Sequence, residues 1–196
     1  MLVNLDKKIA FLAMTKTAST SVEAALKPHA DIIFTGDSRV KHISARKFRR
    51  FMKPYLTNMG HEVETCCLFR DPTDWLFSWY CYRGRPQMTG RAESTMEMSF
   101  AAFAEDYLSR PETAKGIGRP SRFVTDRTGE VIVDRIFKYE SLPTFVRFLE
   151  DRFDVPLEIG HLNMSAKRDR QVTADLETRL KTYFAPEYAI LRDAIG

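Results

Sequence analysis

Two short runs of this sequence carry side chains whose types and spacing suit them to hold anions. The first is Met14-Thr15-Lys16-Thr17-Ala18-Ser19-Thr20-Ser21, a hydroxyl-rich turn with a single lysine. The second is Arg70-Asp71-Pro72, with Ser78 eight residues beyond the arginine. In the first run Lys16 supplies a point charge and the Ser and Thr hydroxyls supply donors. A helix opening there adds its free N–H groups and the positive end of its dipole. The competing reading is an ordinary strand–loop–helix in which Ser and Thr cap the helix. In the second run Arg70 offers charge-assisted contacts to a phosphate. A third chemical group is His42, whose imidazole titrates near about 6.5 when unperturbed and so suits proton transfer at neutral pH. A lone histidine is more often structural, and His61 and Asp37 stand behind His42 as alternative bases.

These groups need elements to position them. Ile9 to Met14 is an apolar run that reads as a short buried strand, and Val22 to Leu26 continues as a helix closed by Pro28. Asp31 to Phe34 reads as a second strand. Ser44 is placed as the N-cap of a helix from Ala45 to about Lys53, with Phe48, Phe51 and Met52 on its apolar face. Its other face carries Arg46, Lys47, Arg49, Arg50 and Lys53, and no acidic residue occurs between Ser38 and His61. That run is either a solvated helix face or an electrostatic funnel for a polyanion.

Glu64 to Phe69 is a second buried strand. Asp71 as N-cap, Pro72 at the first helical position and Asp74 three residues after the cap then start a helix running to about Tyr82. Arg70 therefore sits where strand gives way to helix, the edge at which open parallel sheets bind ligands. Trp75 and Trp79, four apart, read as core packing rather than a stacking platform. Cys66 and Cys67 point to opposite faces of their strand and belong to the core.

Gly84 to Glu97 is an irregular stretch that suits a lid, an acceptor-binding loop or a plain surface loop. Ser99 to Leu108 is predicted helical, Lys115 to Pro120 is basic and flexible, and residues 123–133 read as a hairpin. Asp134 to Tyr139 is predicted as a strand. Pro143 to Phe153 and Thr173 to Phe184 are predicted as amphipathic helices, the second followed by a short terminal one. The alternation predicts one α/β domain over 1–196, a three-layer arrangement of a parallel β-sheet flanked by helices.

Composition sets limits. The 196 residues, 44% hydrophobic and 29% charged, describe an ordinary globular chain. A net charge of +4 suits an anionic ligand without arguing for nucleic acid. No apolar run approaches the roughly 20 residues that cross a bilayer, so no integral membrane segment is expected. Lys7-Lys8 before an apolar run of only Ile9 to Met14, with no small-residue cleavage site, reads as no signal peptide. Three cysteines form no disulfide framework or CxxC spacing and point to a reducing cytoplasm. The four histidines show no metal-ligand spacing.

Lys16 to Thr20 followed by Arg70-Asp71-Pro72 and Ser78 resembles the paired cofactor motifs of sulfotransferases that use 3′-phosphoadenosine 5′-phosphosulfate (PAPS). Phe137 to Leu142 and Gly160 to Arg168 are similar to late segments of the bacterial, carbohydrate-type members. The resemblance implies a P-loop NTPase-like sulfotransferase fold and sulfuryl transfer from PAPS to an acceptor hydroxyl, on a sugar or a small alcohol, leaving PAP. It implies that Lys16, Thr17, Ala18, Ser19, Thr20 and Ser21 hold the 5′-phosphosulfate, Lys16 also acting in catalysis. It implies that Arg70 and Ser78 hold the 3′-phosphate, with Tyr139 a candidate adenine contact and Lys167 and Arg168 close to the nucleotide. The place of His42 resembles that of the family's base. No metal is required, because lysine and backbone donors meet the charge. Ala18 occupies a position where glycine is common, which requires it to keep φ negative.

Rival readings remain. Lys16-Thr17 matches the end of GxxxxGK[ST], but Ala10 and Thr15 replace both glycines of a P-loop kinase. A non-catalytic nucleotide-binding module would keep the site without the chemistry. A nucleic-acid or heparin binder would use the Arg39 to Lys53 cluster and be indifferent to Lys16.

Overall fold

The computed structural model describes residues 1–110, 116–160, 165, 166 and 168–196. A five-stranded sheet lies at its centre. β1 (Leu2–Asn4) and β2 (Ile9–Phe11) form a hairpin, followed by α1 (Ser19–Leu26) and β3 (Ile32–Ile33). Short helices α2 (Ser38–Lys41), α3 (Ala45–Lys47) and α4 (Lys53–Asn58) lead to β4 (Glu64–Phe69) and α5 (Pro72–Arg83). Then come α6 (Phe100–Ser109), α7 (Ser121–Val124), β5 (Arg135–Lys138), α8 (Leu142–Phe153), α9 (Ala174–Tyr183) and α10 (Ala185–Asp193).

The spatial order is β3-β1-β2-β4-β5. β2, β4 and β5 run parallel, with Phe11 opposite Cys66 and Phe69 opposite Lys138. β1 runs antiparallel to both of its neighbours, so the sheet is mixed, not parallel as the sequence predicts. The reason is local. The turn after Asn4 closes with Lys8 at φ 53, a lysine taking the left-handed place that glycine usually marks. That substitution hides the hairpin from sequence.

Side chains alternate between two cores. Val3, Ala10, Leu12, Cys67 and Phe69 pack on one face with Phe48 and Leu56, with Trp75 and Leu76 of α5, and with Phe103, Leu176 and Phe184. Leu2, Ile9, Phe11, Cys66 and Leu68 pack on the other with Val22 and Leu26 of α1 and Phe145, Leu149 and Phe153 of α8. Helices thus cover both faces, giving the expected three layers. Cys66 and Cys67 are fully buried on opposite faces, and burial pushes both thiols above their usual range. Among the described residues no helix is long and apolar enough to cross a membrane.

Two other predicted elements differ. The helix from Ala45 does not stop near Lys53 but continues to Asn58 through a π turn over Phe48–Met52. Pro54 has no N–H for the carbonyl of Arg50 four residues back, and the widened turn just ahead of it carries the helix past the gap. The hairpin over 123–133 reduces to one bridge between Thr125 and Val131 after α7. Asp126 is responsible, because its carboxylate accepts from the N–H groups of Thr128 (2.8 Å) and Glu130 (3.1 Å) and diverts them from a ladder.

The start of α5 is as read. The Asp71 carboxylate accepts from the N–H of Thr73 and of Asp74, both at 2.9 Å, ahead of Pro72 in the first turn. Asp71→Ala leaves both donors open and is expected to lower stability by about 1 kcal/mol, measured by thermal or urea unfolding. An unchanged midpoint would show that water caps the helix equally well.

Candidate functional site

The exits of β2, β4 and β5 lie side by side because the three strands are parallel, and the predicted chemistry gathers there. The chain leaves β2 through Leu12 and Ala13 into the Lys16 loop, and leaves β4 at Arg70. Tyr139 follows β5 directly.

The Lys16 loop is braced from three sides. Thr17, fully buried, donates its hydroxyl to the Met14 carbonyl at 3.0 Å. Trp75 Nε1 donates to the Thr15 carbonyl at 3.2 Å, and Arg70 Nη1 to the Lys16 carbonyl at 3.3 Å. The backbone is left-handed at two non-glycine residues, Lys16 at φ 65 and Ala18 at φ 53. Ala18 therefore does not keep the negative φ the sequence reading required. Packing overrides the steric preference, since α1 begins at Ser19 and Ala18 accepts from the N–H groups of Ser21 (2.9 Å) and Val22 (3.1 Å). Left-handed residues in such a loop turn successive N–H groups to one side, as in anion-binding nests. Ala18 is also the N-cap, with no side-chain cap bond, so the opening N–H groups of α1 are not covered by a Ser or Thr hydroxyl. Ser19 and Ser21 are buried in that first turn. Thr20 Oγ1 accepts from Lys41 Nζ at 3.1 Å, and Lys41 pairs with buried Glu23 at 2.9 Å.

The Lys16 ammonium lies 3.5 Å from the Tyr82 ring centroid and 4.6 Å from that of Trp79. Both rings stand on the face of α5 that also braces Thr15. Burial, then the charges of Arg85 and Arg70, pull Lys16 from its usual range down to about 7. Arg70 stacks over Tyr139, its guanidinium carbon 4.7 Å from the ring centroid. Tyr139 thus supports Arg70 directly. Arg70 Nε and Trp79 Nε1 are buried donors with no acceptor among the described residues. Two open buried N–H groups in one site are unusual, since each costs about 1–3 kcal/mol. A bound anion at the exit of β4 would relieve them. Ser78 lies half-buried one residue before Trp79 on α5.

His42 sits at the exit of β2. Its Nδ1 lies 2.6 Å from the Ala13 carbonyl oxygen. A carbonyl only accepts, so Nδ1 carries the proton and Nε2 presents the free lone pair of a neutral imidazole. Burial holds the imidazole below its usual range, with Lys41 acting in the same direction. Asp37 is a poor alternative, because its bonds to Arg39 hold its carboxyl down to about 2. Among the described residues, His61 makes no side-chain hydrogen bond to the Lys16 loop.

Arg168 does not join this group. Its guanidinium donates to the carbonyls of Thr95 (3.0 Å), Met96 (3.1 Å) and Met98 (3.1 Å) and stacks 4.0 Å from the Tyr80 centroid. It clamps the 84–98 loop. Lys167 lies outside the described residues, as do positions 161–164 and 111–115. The sequence reading missed Trp79, Tyr82 and Arg85 as wall residues. Trp79 and Tyr82 fall on the Trp75 stripe at helical spacing, but an apolar stripe alone does not say which end faces a ligand.

Compared with protein-family models, curated proteins and solved structures, the chain finds no match in any of the three.

Ala18→Gly removes a Cβ from a left-handed residue and is expected to raise stability by about 1 kcal/mol in denaturant unfolding. A loss of stability would mean that packing of the methyl outweighs the backbone strain.

Proposed function

We propose that this chain is a sulfotransferase that moves the sulfuryl group of PAPS to the hydroxyl of a sugar or small alcohol, on a P-loop NTPase-like version of its mixed α/β sheet, in the cytoplasm. The observation that carries this reading is the pair of open buried donors, Arg70 Nε and Trp79 Nε1, next to a lysine that packs on aromatic faces rather than on a carboxylate. The two cationic centres stand at the ends of adjacent parallel strands, which suits a ligand with separate phosphates. The donor set fits such a ligand: lysine, guanidinium, indole N–H and uncapped helix N–H groups all donate, and none accepts.

When bound, PAPS supplies a sulfuryl group on an activated phosphate oxygen. Lys16 and the first N–H groups of α1 hold negative charge at the β2 exit, in place before reaction and partly shielded from water. Arg70 and Trp79 fix the far phosphate, and Tyr139 holds the guanidinium in plane. Thr20 accepts from Lys41 and so keeps its own hydroxyl hydrogen to donate to the ligand. His42 takes the proton of the acceptor hydroxyl at Nε2 while Ala13 holds the ring by Nδ1. Its lowered range keeps it neutral, and ready as a base, at pH 7.

Titration calorimetry with PAP, ATP and 5′-AMP tests the reading. PAP is expected to bind best, and Arg70→Ala to weaken it by about 2 kcal/mol, roughly thirtyfold, with little effect on 5′-AMP. Preference for magnesium-ATP would replace this reading with a kinase, and no binding of any of the three would end it.

The pH dependence has a definite sign. Below about 7 Lys16 is already charged in the free protein. Above that, an arriving phosphate must draw a proton onto it, so PAP affinity falls as pH rises from 7 to 9, by up to about tenfold per unit. Lys16→Arg keeps its charge throughout and should flatten the slope. An equal slope in both proteins would remove Lys16 from the site.

A further inference from the structure

The helical segment from Ala45 to Asn58 presents two kinds of side chain to solvent. Phe51, Tyr55 and Met59, each four residues from the last, are 59%, 59% and 62% exposed, although all three are large and apolar. Around them stand Arg46, Lys47, Arg49, Arg50 and Lys53, none of which forms a salt bridge among the described residues. Several other surface arginines are paired, as Arg135 and Arg152 are with Glu64 and Arg179 with Glu105. The opposite face, through Ala45, Phe48 and Leu56, is buried in the sheet's core. The exposed face is therefore not a misplaced core.

We infer that this face is a docking surface for an anionic lipid bilayer. A basic helix face with protruding aromatic and thioether side chains lies in the interface plane, its apolar groups at the acyl boundary and its cations among the head groups. Charge complementarity selects the partner, since the helical segment from Ala45 to Asn58 has five cations and no acid. A dissolved polyanion would answer the cations but leave Phe51 and Met59 in water; a bilayer answers both. The surface of the cytoplasmic leaflet is negative, which matches. This inference does not rest on the nucleotide site, because none of these residues touches it.

Flotation with phosphatidylcholine vesicles, with and without about one third phosphatidylserine, tests the surface. The full chain is expected to bind the anionic vesicles and not the neutral ones. Substituting Phe51→Gln, Tyr55→Gln and Met59→Gln together should weaken vesicle binding at least about tenfold while leaving retention on heparin unchanged. Replacing Arg49 and Arg50 by Gln should weaken both, by about fivefold per charge on vesicles. Binding to neutral vesicles alone, or anionic binding untouched by the triple substitution, would overturn the proposal, the second outcome indicating a soluble polyanion. All five positions are solvent-exposed, so circular dichroism of each variant should match the parent.

Discussion

The parallel ladder between β2 and β4 is the constraint on which the rest of the molecule depends. Because Phe11 lies opposite Cys66 and both strands run the same way, the loops that leave them emerge at one edge, a few ångströms apart. One loop brings Lys16 and the start of α1; the other brings Arg70 and the start of α5. Two side chains of the second unit brace the first across that edge, Arg70 on the Lys16 carbonyl and Trp75 on the Thr15 carbonyl. An antiparallel pairing would have sent the two cations to opposite ends of the sheet.

The edge is held together against its own electrostatics. Burial first, and then repulsion from Arg85 and Arg70, bring Lys16 down to about 7. Aromatic faces offset part of this: Tyr82 and Trp79 under Lys16, Tyr139 under Arg70, Tyr82 under Arg85. Left-handed Lys16 and Ala18 add backbone strain to the same loop. Repulsion, open donors and strain all fall within one loop and one helix face. A protein selected only for stability would not gather them, which is the pattern of a site shaped for binding.

The parts legible in sequence are those governed by local rules. Asp71-Pro72 announced α5 because a cap and a fixed φ act over four residues, and the runs at Ile9 and Glu64 announced buried strands because both faces are covered. The position of His42 beside the β2 exit was also readable, as a residue between the second strand and a helix. What stayed hidden was decided by tertiary contact. The antiparallel β1 rests on a lysine in glycine's conformation, and Ala18 is forced left-handed by the helix it begins. Thr17 looks like a ligand group in sequence, yet its hydroxyl is turned inward to Met14. Arg168 carries the same charge as Arg70, but only the fold shows that its donors go to loop carbonyls.

That arginine has a mechanical consequence. Its guanidinium reaches Thr95, Met96 and Met98, and it fills the space where a Cβ on Gly84 would lie, so it grips both ends of the 84–98 loop at once. Arg85, next to Gly84, is tied in turn to Ser165 at 3.0 Å. The loop is thus laced to Ser165 and Arg168 like a hasp to its staple. They cannot swing separately. Any motion that admits a bulky molecule to the Tyr82 wall must carry Ser165 and Arg168 with it or break these bonds, although both lie 70 or more positions further along the chain.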